Sequence, residues 1–355
     1  MVNLDDLKTY EQVDPQGMRD RIAEMSRQIE EANVLVTGFP EQKPTYSNAS
    51  NILVLGMGGS AIGGDLVRTL VEDQLRVPLA VSRDYRIPAY VGADSLVIAS
   101  SYSGNTEETL AASKEALARG ANLIAITTGG SLAELARQHG APVLSFQYLA
   151  QPRAALGFSF GMLLGLLVKL GYVDASRIGV EEAISTASSA PSFMGPEVQT
   201  ADNRAKQLAL RLHGKLPVVY GAGILSEVAR RWKGQFNENS KAWAFFEQLP
   251  ELNHNAVVGF ENYPDLASAV YVLVLSSSSY HPRVAARVRV TSEILKQRRV
   301  EHQVLEAKGA SPAAQMVDII TLGDYTSYYL AVLYGTDPTP VSAIDFLKSE
   351  LARTK

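Results

Sequence analysis

Two short stretches of this chain crowd glycine and small hydroxyls together: GMGGSA, Gly56 to Ala61, and SSYSGNTEE, Ser100 to Glu108. Each follows an apolar run, NILVL or DSLVIAS, and each leads into a helical pattern. A glycine turn that opens onto a helix N-terminus presents unpaired backbone N–H groups to an anion, and serine or threonine hydroxyls add further donors. Ser100, Ser101, Ser103 and Thr106 around Gly104 therefore read as a cradle for a phosphate. By letter, GMGGSA also fits the dinucleotide fingerprint, which wants an acid about 20 positions further on for the ribose. Glu72 and Asp73 come before the next apolar run, VPLAVS, and Asp84 comes too late after it. A plain connecting turn is the third reading. Glu107 and Glu108 need no functional account, since acids in a first helical turn favour the helix dipole.

Four single residues elsewhere are ordinary by type and spacing, and only the resemblance given below singles them out. Glu238 stands in FNENSKAWAFF, His254 in PELNHN, Arg153 in QPRAALG and Lys348 in DPTPVSAIDFLK. A carboxylate partly shielded from water can serve as a general base. A fixed guanidinium can stabilise a developing oxyanion. Taken alone, each has an ordinary structural role: a solvated helix-end acid, a structural histidine, an arginine at a helix start, a surface lysine. The other histidines, His139, His213, His281 and His302, lie in no matching motif. The chain has no cysteine, which removes disulfides, cysteine-ligated metals and thiol nucleophiles together. No HxH or HxxxH pair is present, so no metal is implied.

The elements that must position these residues are legible as patterns. With 355 residues, 46% of them apolar, the chain can fill about two cores. A net charge of −4 and no Lys/Arg block argue against nucleic-acid binding. The polar start MVNLDDLKTYEQVD is unlike a signal peptide. FSFGMLLGLLVKL is shorter than the roughly 18 to 20 residues of a membrane span and contains Lys169, so it reads as a buried helix. A cytoplasmic protein is expected. Met18 to Val36 has the spacing of one amphipathic helix. NILVL, VPLAVS, SLVIAS, NLIAIT and PVLSF then alternate with helical stretches, which implies a parallel sheet covered on both faces. From about Ile178 the pattern restarts. KLPVVYGAG with ILSEVARRWKGQF repeats strand, glycine turn and helix. SAVYVLVLSSSSYHPR repeats strand and hydroxyl loop, and its Ser276 to Tyr280 echoes Ser100 to Gly104. HQVLEA and a helical run from Ser311 to Gly335 finish the second unit. Two α/β units follow, over residues 1–175 and 176–355.

GMGGSAIGGD with SYSGNTEET resembles the sugar isomerase (SIS) domain, a phosphosugar-binding α/β unit that commonly occurs in pairs. Adding QPRAALG, FNENSKAWAFF, PELNHN and DPTPVSAIDFLK, the chain resembles the bifunctional phosphoglucose/phosphomannose isomerases of bacteria and archaea, in matching order from about Asn51 to Lys348. The resemblance implies two flavodoxin-like αβα domains and interconversion of glucose and mannose 6-phosphates with fructose 6-phosphate through a cis-enediol, without cofactor or metal. It makes Glu238 the base, His254 the ring-opening group, Arg153 the stabiliser of the enediolate and Lys348 a neighbour of the sugar ring. Ser101, Ser103 and Thr106 would bind the phosphate, with Gly59 and Ser60 against the sugar. It further implies a homodimer in which the histidine reaches its neighbour's site. Thr339, in DPTP, is a candidate for the small hydroxyl that lets both C2 epimers be used. One departure is Ala256, where related sequences often carry an acid after NHN; an acid that tunes the histidine would be missing. The alternative is a phosphosugar-binding protein without catalysis.

Overall fold

A computed structural model describes residues 2–40, 43–262 and 264–353. The first unit holds a five-stranded sheet: β1 (Asn51–Leu55), β2 (Leu79–Ser82), β3 (Ser95–Ser100), β4 (Asn122–Thr127) and β5 (Val143–Ser145). Their order is β2-β1-β3-β4-β5, and every neighbouring pair is parallel. The second unit holds β6 (Leu216–Gly221), β7 (Phe245–Gln248), β8 (Val270–Ser276) and β9 (Glu301–Glu306), in the order β7-β6-β8-β9, again all parallel.

NILVL and SLVIAS can be apolar throughout because helices cover both sides of the sheet. Ile52 and Val54 enter one core while Leu53 and Leu55 enter the other, the alternation a strand imposes on its side chains. Leu55 of β1 pairs with Ala99 of β3, so the two glycine-hydroxyl loops leave the sheet side by side at the carboxyl ends of its central strands. That crevice, where strand order reverses, is where open α/β sheets take ligands.

One apolar core runs through both units, joining Ile52 and Val54 to Val219 and Val272. Helix Pro312–Leu333 lies in it, buried from Ala313 to Leu333, and packs on helices Val180–Met194, Arg204–Leu212 and Ser226–Glu238. Helix Leu156–Lys169, the buried helix expected from FSFGMLLGLLVKL, packs on Met25–Thr37. None of the described helices is long and apolar enough to cross a membrane.

One local expectation fails, and one strand has no forewarning. The single helix over Met18 to Val36 is two, Met18–Ala23 and Met25–Thr37, with Glu24 at φ −81° and ψ 3° between them. The Glu24 carboxylate accepts from the Tyr148 hydroxyl at 2.6 Å and pairs with Arg27 at 3.0 Å. A tertiary tether thus sits at the break, and helical periodicity contains no sign of it. Strand β7 has no counterpart in the pattern of FNENSKAWAFF; it is a four-residue edge strand whose side chains are alternately exposed and half-buried.

Candidate active site

β3 ends at Ser100, which is buried, and the chain turns at once into the hydroxyl loop. The Ser101 and Thr106 hydroxyls are bonded to each other at 2.9 Å, and Ser101 also accepts from the Gly104 N–H. Thr106 is the residue before helix Glu107–Ala118, yet its side chain makes no capping bond, so the first-turn N–H groups take no acceptor from it. Ser103 is exposed and accepts from the Asn105 N–H. The Ser60 hydroxyl accepts from the Tyr102 N–H at 3.1 Å, tying the first loop to the second.

Glycine is required at two points. Gly104 has φ +69°, and a Cβ there would lie 1.9 Å from the Gly129 carbonyl oxygen. Gly59 lets the start of helix Gly58–Val71 touch the 3₁₀ turn Pro152–Ala154, where a Cβ would meet the Pro152 carbonyl oxygen at 2.6 Å. Gly104→Ala is expected to cost about 2–4 kcal/mol, because the left-handed backbone and a backbone obstacle act together. Urea unfolding checks this; a wild-type midpoint would show that the loop relaxes freely.

Through Gly59 the cradle reaches Arg153. This side chain is 3% exposed and spends its donors on four acceptors. Nε donates to Asn239 Oδ1 at 2.7 Å, Nη1 to Glu238 Oε2 at 3.3 Å, and Nη2 to the carbonyls of Pro338 at 2.6 Å and Thr339 at 2.9 Å. Burial pulls the guanidinium below its usual pKa while the Glu238 carboxylate opposes the shift. From behind, Arg231 donates to the Arg153 carbonyl and pairs with buried Asp324 at 2.6 Å. Burial raises the Asp324 carboxyl, and Arg231 opposes that.

Glu238 is the last residue of helix Ser226–Glu238, with a side chain 32% exposed. The partial shielding suits a carboxylate that must both hold charge and meet a ligand. Asn239, fully buried, passes the Arg153 bond on to Ser327 Oγ at 3.0 Å. Lys241, at φ +51°, donates from Nζ to the carbonyls of Glu238, Asp337 and Pro338 at 2.8, 2.9 and 3.1 Å. Sequence reasoning assigned neither Asn239 nor Lys241 a role, although both lie inside NENSK; an asparagine after a helix reads as an ordinary end signal. Thr339 is buried, and its hydroxyl has no hydrogen-bond partner among the described residues. A groove of about 400 Å³ lined in part by Gln151 and Thr339 opens beside it.

Arg153, Glu238 and Thr339 therefore meet; His254 and Lys348 do not join them within one chain. His254 ends the short 3₁₀ helix Glu251–His254, is exposed and makes no hydrogen bond or ion pair among the described residues. Lys348 lies on helix Ser342–Leu351, which buries none of its residues. The second unit's hydroxyl loop is spoken for internally. Ser277 donates to Gln315 Oε1 at 2.6 Å, and Tyr280 donates to the Leu275 carbonyl while accepting from the Ala222 N–H. A larger groove, about 700 Å³, lies at the amino ends of β1 and β2 and holds none of the candidate residues.

Two family models match: the SIS domain over residues 45–141, and the bacterial phospho-glucose isomerase C-terminal SIS domain over 201–351. Among solved structures, a hypothetical protein of Thermus thermophilus superposes with a TM-score of 0.74 at 14% identity, over 98% of this chain and 92% of that one, which speaks to the fold. The bifunctional phosphoglucose/phosphomannose isomerase of Aquifex aeolicus is 36% identical over 92% of this chain and 99% of its own. That of Caldicellulosiruptor bescii is 46% identical over 86% of this chain and 90% of its own. With two SIS domains of parallel sheet flanked by helices, and identity of this order along nearly the whole length, the chain belongs to the bifunctional phosphoglucose/phosphomannose isomerase family.

Proposed function

We propose that this protein interconverts glucose 6-phosphate and mannose 6-phosphate with fructose 6-phosphate, by proton transfer between C2 and C1 through a cis-enediol and without a metal. The observation that carries the reading is the Arg153–Glu238 pair, a buried guanidinium against a half-shielded carboxylate, packed through Gly59 on the hydroxyl cradle. Glu238 takes the proton from C2 and returns it at C1. Arg153 faces the negative charge that grows on the enediolate oxygens. Ser101, Ser103 and Thr106, with the uncapped N–H groups behind them, hold the phosphate, and Gly59 and Ser60 lie along the sugar. Both epimers give the same enediol, so one base serves both once the C2–C3 bond turns. Thr339, with its unpartnered hydroxyl, is the residue we assign to that step.

His254 opens the ring, and Lys348 approaches it, in a homodimer with shared sites. Three features support the dimer. His254 is exposed and its side chain has no partner among the described residues; helix Ser342–Leu351 exposes Ile344, Phe346, Leu347 and Leu351; and Trp243 is 73% exposed beside Phe245. We assign residues 1–175 to the first domain and 176–355 to the second, in a cytoplasmic enzyme. Among the described residues no three His, Asp or Glu side chains gather as metal ligands.

The test is fructose 6-phosphate formation from each aldose phosphate with EDTA present. Turnover of both, unchanged by EDTA, is expected. Turnover of glucose 6-phosphate alone would remove Thr339's assignment, and binding without turnover of either would leave a phosphosugar receptor.

A further inference from the structure

We propose that Lys241 is a positioning residue for the proton transfer: its ammonium locks the Asp337–Thr339 turn onto the helix end that carries Glu238. The inference rests on the isomerase reading above.

An ammonium has three N–H donors, and Lys241 faces three close carbonyls, those of Glu238, Asp337 and Pro338. The first is an orphan acceptor at a helix C-terminus, where a cation is favoured. The other two belong to a turn that Arg153 also grips, through the carbonyls of Pro338 and Thr339. Each cation also holds Glu238, Arg153 by its carboxylate and Lys241 by its backbone oxygen. Carboxylate, guanidinium, turn, ammonium and helix end thus close into a ring. Without Lys241 the ring opens. The turn then hangs on Arg153 alone, and the guanidinium that must stay aligned with Glu238 follows a loosened anchor. The left-handed backbone of Lys241 is consistent with a position set by this geometry, since lysine rarely takes it unforced.

The charged groups facing the ammonium are Arg153 from the 3₁₀ turn, Glu238 from its own segment and Asp337 from the gripped turn. Burial, then the Arg153 charge, push the ammonium down to about 8, with Asp337 and Glu238 opposing. A neutral amine keeps only two donors and no charge, so at least one of the three bonds goes. The ring is therefore closed below about pH 8 and opens above it. Stability runs the other way. An unfolded lysine keeps its proton to about pH 10.4, so between these values the unfolded chain binds more protons and this group favours folding as pH rises. Lost turnover in that window is then not unfolding driven by this group.

The experiment measures kcat and KM for glucose 6-phosphate from about pH 6.5 to about pH 10 in the wild type, Lys241→Met and Lys241→Arg. The wild type should lose kcat with a single-proton slope above about pH 8, at nearly constant KM. Lys241→Met should run roughly tenfold to hundredfold below the wild-type plateau with no such limb. Lys241→Arg, charged throughout, should carry no limb in this range whatever its plateau. A wild-type kcat that stays level across the range overturns the proposal, as does a limb that persists in either variant. Should Lys241→Met fail to fold, the wild type and Lys241→Arg decide between them. A wild type inactive at every pH overturns the isomerase reading itself, a different result from activity without a limb.

Discussion

Glu238→Gln should lower kcat at least roughly 100-fold for both aldose phosphates, with KM within a few-fold of wild type. The amide keeps the shape and can still accept from Arg153 Nη1, but it cannot take a proton from carbon. Because the two epimers share one enediol, the loss should be equal for both; a loss confined to one would give that epimer a different base. Exchange of the C2 proton with solvent should vanish in parallel. The same variant tests the sharing of sites. Mixed and reassembled with His254→Gln, it should recover about one quarter of wild-type activity, since half of the pairs are then mixed and each mixed pair holds one intact site. No recovery would place His254 in its own chain's site, and a His254→Gln protein active by itself would place it outside catalysis.

Arg153→Met has the second large effect, and it falls on stability as well as on rate. Removing the guanidinium strands Asn239 Oδ1 and the Thr339 carbonyl in a buried pocket and leaves the Pro338 carbonyl to Lys241 alone. It also leaves Glu238 without its ion pair. Buried acceptors without donors cost about 1–3 kcal/mol each, and partial solvent access at Glu238 and relaxation of the turn reduce the sum, so about 2–4 kcal/mol is expected in urea unfolding. The rate should fall roughly 100- to 1000-fold with loss of the charge that meets the enediolate. Arg153→Lys separates the two roles. It restores a charge but cannot fork to four acceptors, so activity should stay at least about tenfold down. If Arg153→Lys matched wild type in both measurements, Arg153 would be a charge and not a clamp.

How far the sequence carries depends on whether the information is local. NILVL and SLVIAS announce buried strands because continuous apolar runs of that length fit little else, and the loops after them announce an anion site by their residue types. Glu238, His254 and Arg153 stand out only because the stretches around them resemble a known family. What escapes is tertiary. That Arg153 touches Pro338, 185 positions away, has no signature at either end, because the acceptor is a backbone carbonyl that any residue would supply. Lys241 escapes for the same reason. The break at Glu24 is invisible because the tyrosine that tethers it stands 124 positions downstream. The echo at Ser276 to Tyr280 exists as a pattern, but the pattern cannot say that Gln315 and Tyr280 use up its hydrogen-bonding groups.

The grip of Arg153 on Pro338 and Thr339 also sets an order of events during synthesis. By the time residue 175 has left the ribosome, all five strands of the first sheet and the hydroxyl cradle are present, and domains tend to fold as they emerge. The guanidinium nevertheless waits for acceptors that arrive about 185 residues later, at the far side of the last long helix. At roughly 5–20 residues per second that is a wait of about ten to forty seconds for the last two acceptors, with Glu238 and Asn239 arriving a little before its midpoint. A nascent chain halted before Asp337 would hold the residues of the cradle and still lack the clamp. The clamp that faces the proposed enediolate is thus a late product of translation, completed well after the cradle that would hold the phosphate.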